Sequence, residues 1–190
     1  MARALVTGSQ DRVAAVAAAL GEQGIDVVTA TGVADLDGVD LSGLDHYVQL
    51  PVSVEPEGDN LVGRVRSFLS AGLLTRYALT ERAVASLNPG ARVVVVSGSA
   101  VRGDAALPDD KSSRLALLHV LAHAVRAETA DRDVQVSVVS GDRDDAEIVA
   151  HATGAVAGSA ARIPEPSETV TAKQYEDWRT EIMGMATDHV

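Results

Sequence analysis

Short runs of apolar, β-branched residues alternate along the chain with longer segments in which apolar residues recur every three or four positions. The short runs predict buried β-strands, because near-continuous apolarity is typical of strands that are covered on both faces. The longer segments predict helices. The predicted strands are 4–8, 26–30, 46–51, 92–98 and 134–141. The predicted helices are 11–22, 60–88 with room for a break, 112–130 and 143–158.

This alternation of strands and helices also predicts the fold class. Right-handed βαβ crossovers produce a parallel sheet with helices on both faces. We therefore expect an α/β, Rossmann-like, doubly wound parallel sheet of about five strands within residues 1–160. Residues 31–45 are rich in glycine and aspartate and predict a loop that could hold one helical turn. Residues 161–190 are predicted to form a C-terminal extension with a short helix.

Composition narrows the range of functions. The chain carries 27 acidic and 16 basic residues, for a net charge of −11. A surface this negative repels phosphate backbones and anionic membranes, so neither nucleic acid nor membrane is an expected partner. The absence of cysteine excludes disulfides, thiolate metal sites and cysteine nucleophiles. The sequence shows no signal-peptide layout and no apolar run of about 18 residues, which predicts a cytoplasmic protein.

The turn after the first strand looks like a phosphate-binding loop that has been altered. Thr7-Gly8 leads from a strand into a helix, and a helix N-terminus favours an anion. Residues 9–12 read SQDR, where further glycines would let the backbone approach a pyrophosphate. Asp11 adds negative charge, and the long Arg12 side chain does not leave the loop open. The sequence favours a structural turn at Gly8 over a phosphate site.

The order of the segments resembles the short-chain dehydrogenase/reductase (SDR) family over roughly residues 3–160. The best match is ARVVVVSGSAVRG at 91–103, followed by ALLHVLAHAVRAETADRDVQVSVVSGD at 116–142. These stretches look like the family's strand with the catalytic serine, its long central helix and the next strand. The resemblance implies a fold that is shortened relative to the family, because 31–45 replaces a strand and helix that help to form the adenine pocket.

The resemblance also implies where a cofactor would bind, and those motifs are changed. Gly8 matches the first glycine of the family's TGxxxGxG loop, and Arg12 lies near the second, so these two residues are the remnants of the cofactor site. The family's Asn-Asn-Ala-Gly floor motif is replaced by QLPV at 49–52. Pro51 removes a backbone donor and Val52 adds bulk. We expect this chain to bind no NAD(P) itself.

The family's catalytic Asn, Ser, Tyr and Lys are mostly missing. The asparagine aligns with Leu69, and the Tyr-x-x-x-Lys motif falls at 108–114, which contains no tyrosine. Without that phenol, hydride transfer to a carbonyl lacks its proton donor. The candidate remnants of the catalytic set are Ser97, Ser99, Lys111 and Arg114.

The losses together predict a non-catalytic SDR-like subunit. The family's enzymes commonly associate through two long helices, which correspond here to 64–87 and 112–129. The second is apolar around most of its circumference and needs cover on more than one side. We therefore expect pairing with an intact SDR oxidoreductase that acts on a ketone or alcohol, with an acyl thioester as one option. A homodimer is the other expected assembly.

Two other functions stay open from the sequence. The first is an NAD(P)H-dependent reductase that uses the remnant serines with Lys111 or Arg114, or a distant proton donor such as Tyr47. The second is a regulatory module that binds a small ligand in the crevice at the carboxyl ends of the strands. A metal site is not predicted, because His119 and His123 have a suitable helical spacing but no third ligand.

Overall fold

A five-stranded parallel sheet forms the centre of the molecule. The computed structural model describes residues 1–52, 55, 57–97, 108–139, 141 and 143–155, with the backbone alone at 10, 11 and 108–117. The strands are β1 (Arg3–Thr7), β2 (Asp26–Ala30), β3 (Leu44–Gln49), β4 (Leu87–Val96) and β5 (Gln135–Val139). The helices are α1 (Gln10–Glu22), α2 (Leu61–Ser67), α3 (Thr75–Val84), α4 (Pro108–Glu128) and α5 (Asp145–Thr153). The extension predicted at 161–190 lies outside the described residues.

The strand order is β2-β1-β3-β4-β5, and every neighbouring pair is parallel. The order reverses between β1 and β3, which creates a crevice at the carboxyl ends of these strands. The prediction of a doubly wound parallel sheet of about five strands is confirmed. Within the described residues, no helix has the length and apolarity needed to cross a membrane.

Each face of the sheet has its own apolar core, because successive strand residues point to opposite faces. On one face, side chains such as Leu5, Tyr47 and Val95 pack with the buried residues of α3 and α4. On the other face, Val6 and Val48 pack with α1 and α5. The two cores hold the carboxyl ends of the strands in a fixed arrangement.

The segment between β2 and β3 is short and is held by Arg3. A 3-10 helix covers Val33–Leu36, which confirms the predicted loop with one helical turn. The Arg3 guanidinium donates to the carbonyls of Asp40 at 2.6 Å and Ser42 at 3.1 Å. It also lies 3.4 Å from the Asp26 carboxylate. These contacts replace the packing that a longer connection would supply.

Several predicted boundaries are wrong. The strand predicted at 92–98 is β4, which begins earlier, at Leu87. The additional residues pair with β3 on the other side of a bulge, because Leu44 faces Leu87 whereas His46 faces Arg92. The turn at Gly90 within that bulge has φ +77°. The helix predicted at 143–158 ends at Thr153, since Gly154 adopts a left-handed conformation.

The break that was expected within 60–88 is present. The segment Phe68–Leu74 is π-helical and separates α2 from α3. The last of these helices ends at Val84, short of the predicted residue 88. The helix predicted at 112–130 begins earlier, at Pro108, and ends at Glu128. A proline at a helix start fits, because its missing N–H would have no intrahelical partner there.

Candidate functional site

Gly8 lies where the ends of β1 and β3 come closest together. Its φ is +142°, and a Cβ atom there would lie 2.7 Å from Leu50 Cβ and 2.9 Å from the Leu50 carbonyl oxygen. The next amide, of Ser9, donates to the carbonyl of Pro51 at 3.0 Å. The backbone after β3 therefore occupies the space beside Gly8 and accepts from the Ser9 N–H.

Arg12, the second predicted remnant of the cofactor site, connects α1 with the segment between β5 and α5. Its Nε donates to Asp145 Oδ1 at 2.8 Å, and NH1 donates to the Gly141 carbonyl at 2.9 Å. NH2 donates to the carbonyl of Arg143. The positive charge is thus balanced within the chain by a carboxylate, and the side chain is held by carbonyl groups. That Gly8 and Arg12 are non-functional remnants of a cofactor site stays a prediction.

The predicted catalytic remnants are described only in part. Ser97 follows β4, where its N–H donates to the Val139 carbonyl at 2.8 Å and its Oγ accepts from the Gly141 N–H at 3.2 Å. Lys111 and Arg114 lie in the first two turns of α4, and only their backbone is described. Ser99 lies outside the described residues. The described contacts of Ser97 are with the end of β5 and with Gly141.

A polar network lies inside the protein near the carboxyl ends of β1 and β3. Its members are Thr7, Tyr47, Gln49 and Thr80, and each is at most 2% exposed. The Tyr47 hydroxyl lies 3.2 Å from Thr7 Oγ1 and 3.1 Å from Thr80 Oγ1. Gln49 Nε2 donates to Thr80 Oγ1 at 2.7 Å and to the Arg76 carbonyl at 2.7 Å. The network hydrogen-bonds α3 to β1 and β3.

The Tyr47 phenol is a poor candidate for the proton donor of the reductase alternative. The whole side chain is 0% exposed, and its hydroxyl is hydrogen-bonded within the network. Burial raises the pKa of Tyr47, and the hydrogen bonds from its neighbours oppose that rise only in part. A phenol enclosed on all sides cannot reach a carbonyl substrate, which argues against this role.

Arg76 is the charged residue beside this network. Its Nε donates to Gln49 Oε1 at 3.2 Å, and NH2 donates to the Val96 carbonyl at 2.9 Å. The guanidinium therefore lies at the ends of both β3 and β4. Burial lowers the pKa of Arg76 to about 10, so the group remains charged at neutral pH.

Exposed apolar side chains are concentrated on the helices of one side. Eight large apolar side chains are exposed among the described residues, and six of them lie in α2, the π-helical segment that follows it, and α4. We call these six the apolar helix face: Leu61, Val62, Val65, Leu69, Leu74 and Val120. Leu74 and Val120 line a shallow groove between α3 and α4. In the described part of the chain, no group of three or more His, Asp or Glu side chains is placed to hold a metal.

Comparison with solved structures places this architecture among known folds. A short-chain dehydrogenase/reductase of Serratia marcescens, solved as a double mutant, has a TM-score of 0.58 and 16% identity, covering 83% of this chain and 90% of that one. A putative SDR-family oxidoreductase of Aeromonas hydrophila has a TM-score of 0.58 and 13% identity, covering 85% and 94%. BdcA of E. coli, solved in complex with NADPH, has a TM-score of 0.52 and 15% identity, covering 73% and 69%.

These similarities show that the chain has the SDR fold, as the sequence resemblance implied. At such low identity they concern the fold alone. No protein-family model matches the sequence, and no curated protein matches it. The chemistry must therefore be argued from the residues at the carboxyl ends of the strands.

Two residues of this region were missed by the sequence reasoning, Arg76 and Thr80. They lie four positions apart, so they share one face of α3. A signal was present, since Gln49 is a polar residue at the end of an apolar strand and needs buried partners. Nothing in the sequence indicated that those partners lie about 30 residues further along the chain.

Proposed function

We propose that this chain is a non-catalytic SDR-like subunit that pairs with an intact SDR oxidoreductase. The observation that carries the proposal is the apolar helix face, with Val120 60% exposed and Leu74 57% exposed. Isolated exposed apolar residues are ordinary, but Leu74 and Val120 line one groove between α3 and α4, and adjacent exposed apolar side chains support a protein interaction site. The corresponding helices, 64–87 and 112–129, are those that the family resemblance assigns to subunit pairing.

Two features support a subunit without its own cofactor or chemistry. The turn at Gly8 is packed against Leu50, and the Ser9 amide donates to Pro51. The helix that should begin with a catalytic tyrosine contains none at 108–114. In this proposal the intact partner binds NAD(P) and reduces or oxidises a ketone or alcohol, with an acyl thioester as one option. The degenerate subunit stabilises its partner or shapes the substrate entrance.

The experiment is reconstitution with the intact SDR enzymes of the native host. Each would be co-expressed with the full chain, and molar masses would be measured by light scattering after gel filtration. We expect one of them to form a heteromer of defined stoichiometry. The double variant Leu74→Glu, Val120→Lys should weaken that complex by at least about tenfold, because it places charge in an apolar interface.

Val39→Lys is the matched control. Val39 is also an exposed apolar residue, at 37%, but it lies beyond the 3-10 helix and outside the apolar helix face. This variant should leave the heteromer intact. The proposal would be overturned if no intact SDR formed a complex with the chain. It would also be overturned if the double variant bound as tightly as the unmodified chain.

The two alternatives predict different results for the isolated chain. A reductase with a non-standard catalytic set, built on Ser97 or Ser99 with Lys111 or Arg114, would bind NADPH and reduce ketones without a partner. A regulatory module would gain thermal stability from a metabolite that is not a dinucleotide and would form no complex with an intact SDR. We expect neither saturable NADPH binding nor ketone turnover by the isolated chain.

A further inference from the structure

The described half-buried arginines differ in whether a carboxylate lies beside the guanidinium, and Arg76 and Arg92 are two that form no such ion pair within the described residues. Arg3, Arg12 and Arg132 each lie within 4.0 Å of a carboxylate. No acidic side chain of the described residues forms an ion pair with Arg76. Its recorded acceptors are both neutral, the side-chain oxygen of Gln49 and the carbonyl of Val96. A cation held out of water without a counter-charge is costly, and an anion would relieve that cost.

Hydrogen bonding leaves part of the guanidinium unused. An arginine side chain has five N–H groups. Two are donated, to Gln49 and to Val96, which leaves three without an acceptor in the described part of the chain. The two bonds that are made fix the plane of the group. A planar fork that is already oriented suits a carboxylate or phosphate group, which accepts two parallel hydrogen bonds.

The position of Arg76 is also one at which ligands bind in this class of fold. Ligands of open α/β sheets bind outside the carboxyl ends of the strands, near the point where the strand order reverses. Arg76 contacts the last residue of β3 and the last residue of β4, and β3 borders that point. The side chain is half-buried rather than enclosed, so part of it faces solvent.

We propose that Arg76 anchors a binding site for a small organic oxyanion at the carboxyl ends of β3 and β4. The ligand class is a metabolite with a carboxylate or phosphate group that accepts from the guanidinium N–H groups that donate to no described residue. The site does not require the dinucleotide loop at Gly8, and it does not depend on the pairing proposed above. The ligand proposed for the Arg76 site is therefore chemically different from the dinucleotide that SDR enzymes bind.

The test uses the isolated full chain with two probes, inorganic phosphate and citrate, each compared with chloride at equal ionic strength. Thermal unfolding and titration calorimetry would measure binding. We expect a saturable rise in Tm with at least one probe, and the stronger probe identifies the oxyanion. Arg76→Gln should weaken binding by at least about tenfold, and Arg76→Lys should weaken it less because it keeps the charge but loses the fork.

Arg82→Gln is the control on the same helix, since Arg82 is 48% exposed and lies 3.9 Å from Asp37. It should bind the probe as the unmodified chain does. If Arg76→Gln fails to fold, the Nε–H resonance of Arg76 in the unmodified chain supplies a second readout, and it should shift saturably with the probe. Equal binding by the Arg76 and Arg82 variants, or an Arg76 resonance that does not shift, would overturn the proposal.

Discussion

At the scale of single residues, a glycine can follow the first strand for two different reasons, and the contacts of Gly8 show which of them applies here. A phosphate-binding glycine keeps space open for a ligand, and its replacement would leave the unliganded protein largely intact. Gly8 instead has Leu50 at 2.7 Å from the position of a Cβ, together with a φ of +142°. Its requirement for glycine is therefore met within the folded chain, without any ligand.

We predict that Gly8→Ala lowers the free energy of unfolding by about 2–4 kcal/mol, from steric overlap and backbone strain together. Gly24→Ala is the matched control, because Gly24 has φ +78° but no atom within 4 Å of a Cβ. It should cost about 1 kcal/mol from the backbone alone. Urea unfolding of both variants measures the difference. Equal losses would show that Leu50 does not constrain this turn.

The lowered pKa of His46 makes the folding stability of the protein depend on pH. Burial lowers the pKa of His46 below its ordinary 6.5, and Arg92 acts in the same direction. A hydrogen bond to the backbone of Ala152 and the charge of Asp45 oppose this shift. The folded state therefore binds fewer protons than the unfolded state at pH values around and between the folded and unfolded pKa values of His46. The neutral His46 side chain makes its full contribution to the free energy of unfolding at pH values above its pKa in the unfolded state. That contribution is lost as the pH falls through its pKa in the folded state.

We predict that His46→Gln flattens the fall of stability between neutral and mildly acidic pH. Denaturant unfolding at a series of pH values from 7 downward measures it. His119 should contribute in the same window, since burial lowers its pKa as well. His123→Gln, at an exposed position, controls for the loss of a histidine. An unchanged slope in His46→Gln would contradict the assignment.

At the scale of elements, the polar network fixes α3 against the sheet. We predict that Gln49→Leu lowers the free energy of unfolding by about 2–4 kcal/mol, because it leaves the Arg76 Nε and the Thr80 hydroxyl short of a partner. Thr80→Val should cost about 1–2 kcal/mol. In a double-mutant cycle these two losses should couple by about 1 kcal/mol, since Gln49 Nε2 and Thr80 Oγ1 lie 2.7 Å apart.

The control for this cycle is Thr29→Val on β2, an exposed threonine that is expected to change stability by less than about 0.5 kcal/mol. Chemical unfolding of the three single variants and the double variant gives all the required values. Additive losses from Gln49→Leu and Thr80→Val would mean that the hydrogen bond between these two side chains does not contribute to holding the helix.

The elements themselves were largely predictable, whereas the contacts between them were not. The Val-rich runs identified all five strands, because burial on both faces demands near-continuous apolarity. The extension of β4 back to Leu87 was missed, since Asn-Pro-Gly at 88–90 has the composition of a turn and does form one inside the strand pairing.

The polar network was missed for another reason. Its residues hydrogen-bond to one another only after α3 has packed on the sheet. The local sequence pattern around each residue does not indicate which distant residues this packing brings together.

At the scale of the whole molecule, the residues that the family resemblance assigns to a cofactor site are packed by several elements of this chain. Leu50 and Pro51 belong to the segment after β3, Arg12 belongs to α1, and its partner Asp145 belongs to α5. Arg3 holds the short connection after β2 by hydrogen bonds to two of its carbonyl groups. Each of these contacts is part of the packing of this chain, so a substitution that removes one of them would leave the others in place.

We therefore predict that Arg12→Gly, which places a glycine near the position of the family's second loop glycine, does not produce a dinucleotide site. The variant should lose about 1–3 kcal/mol of stability, because it removes the contact with Asp145 and weakens the helix. Arg12→Ala separates these causes, since it loses the same contact with less cost to the helix. NADPH titration followed by fluorescence should show no saturable binding by either variant. If Arg12→Gly did bind NADPH, the arginine alone would be closing the loop, and the packing of Gly8 against Leu50 would be compatible with a pyrophosphate after all.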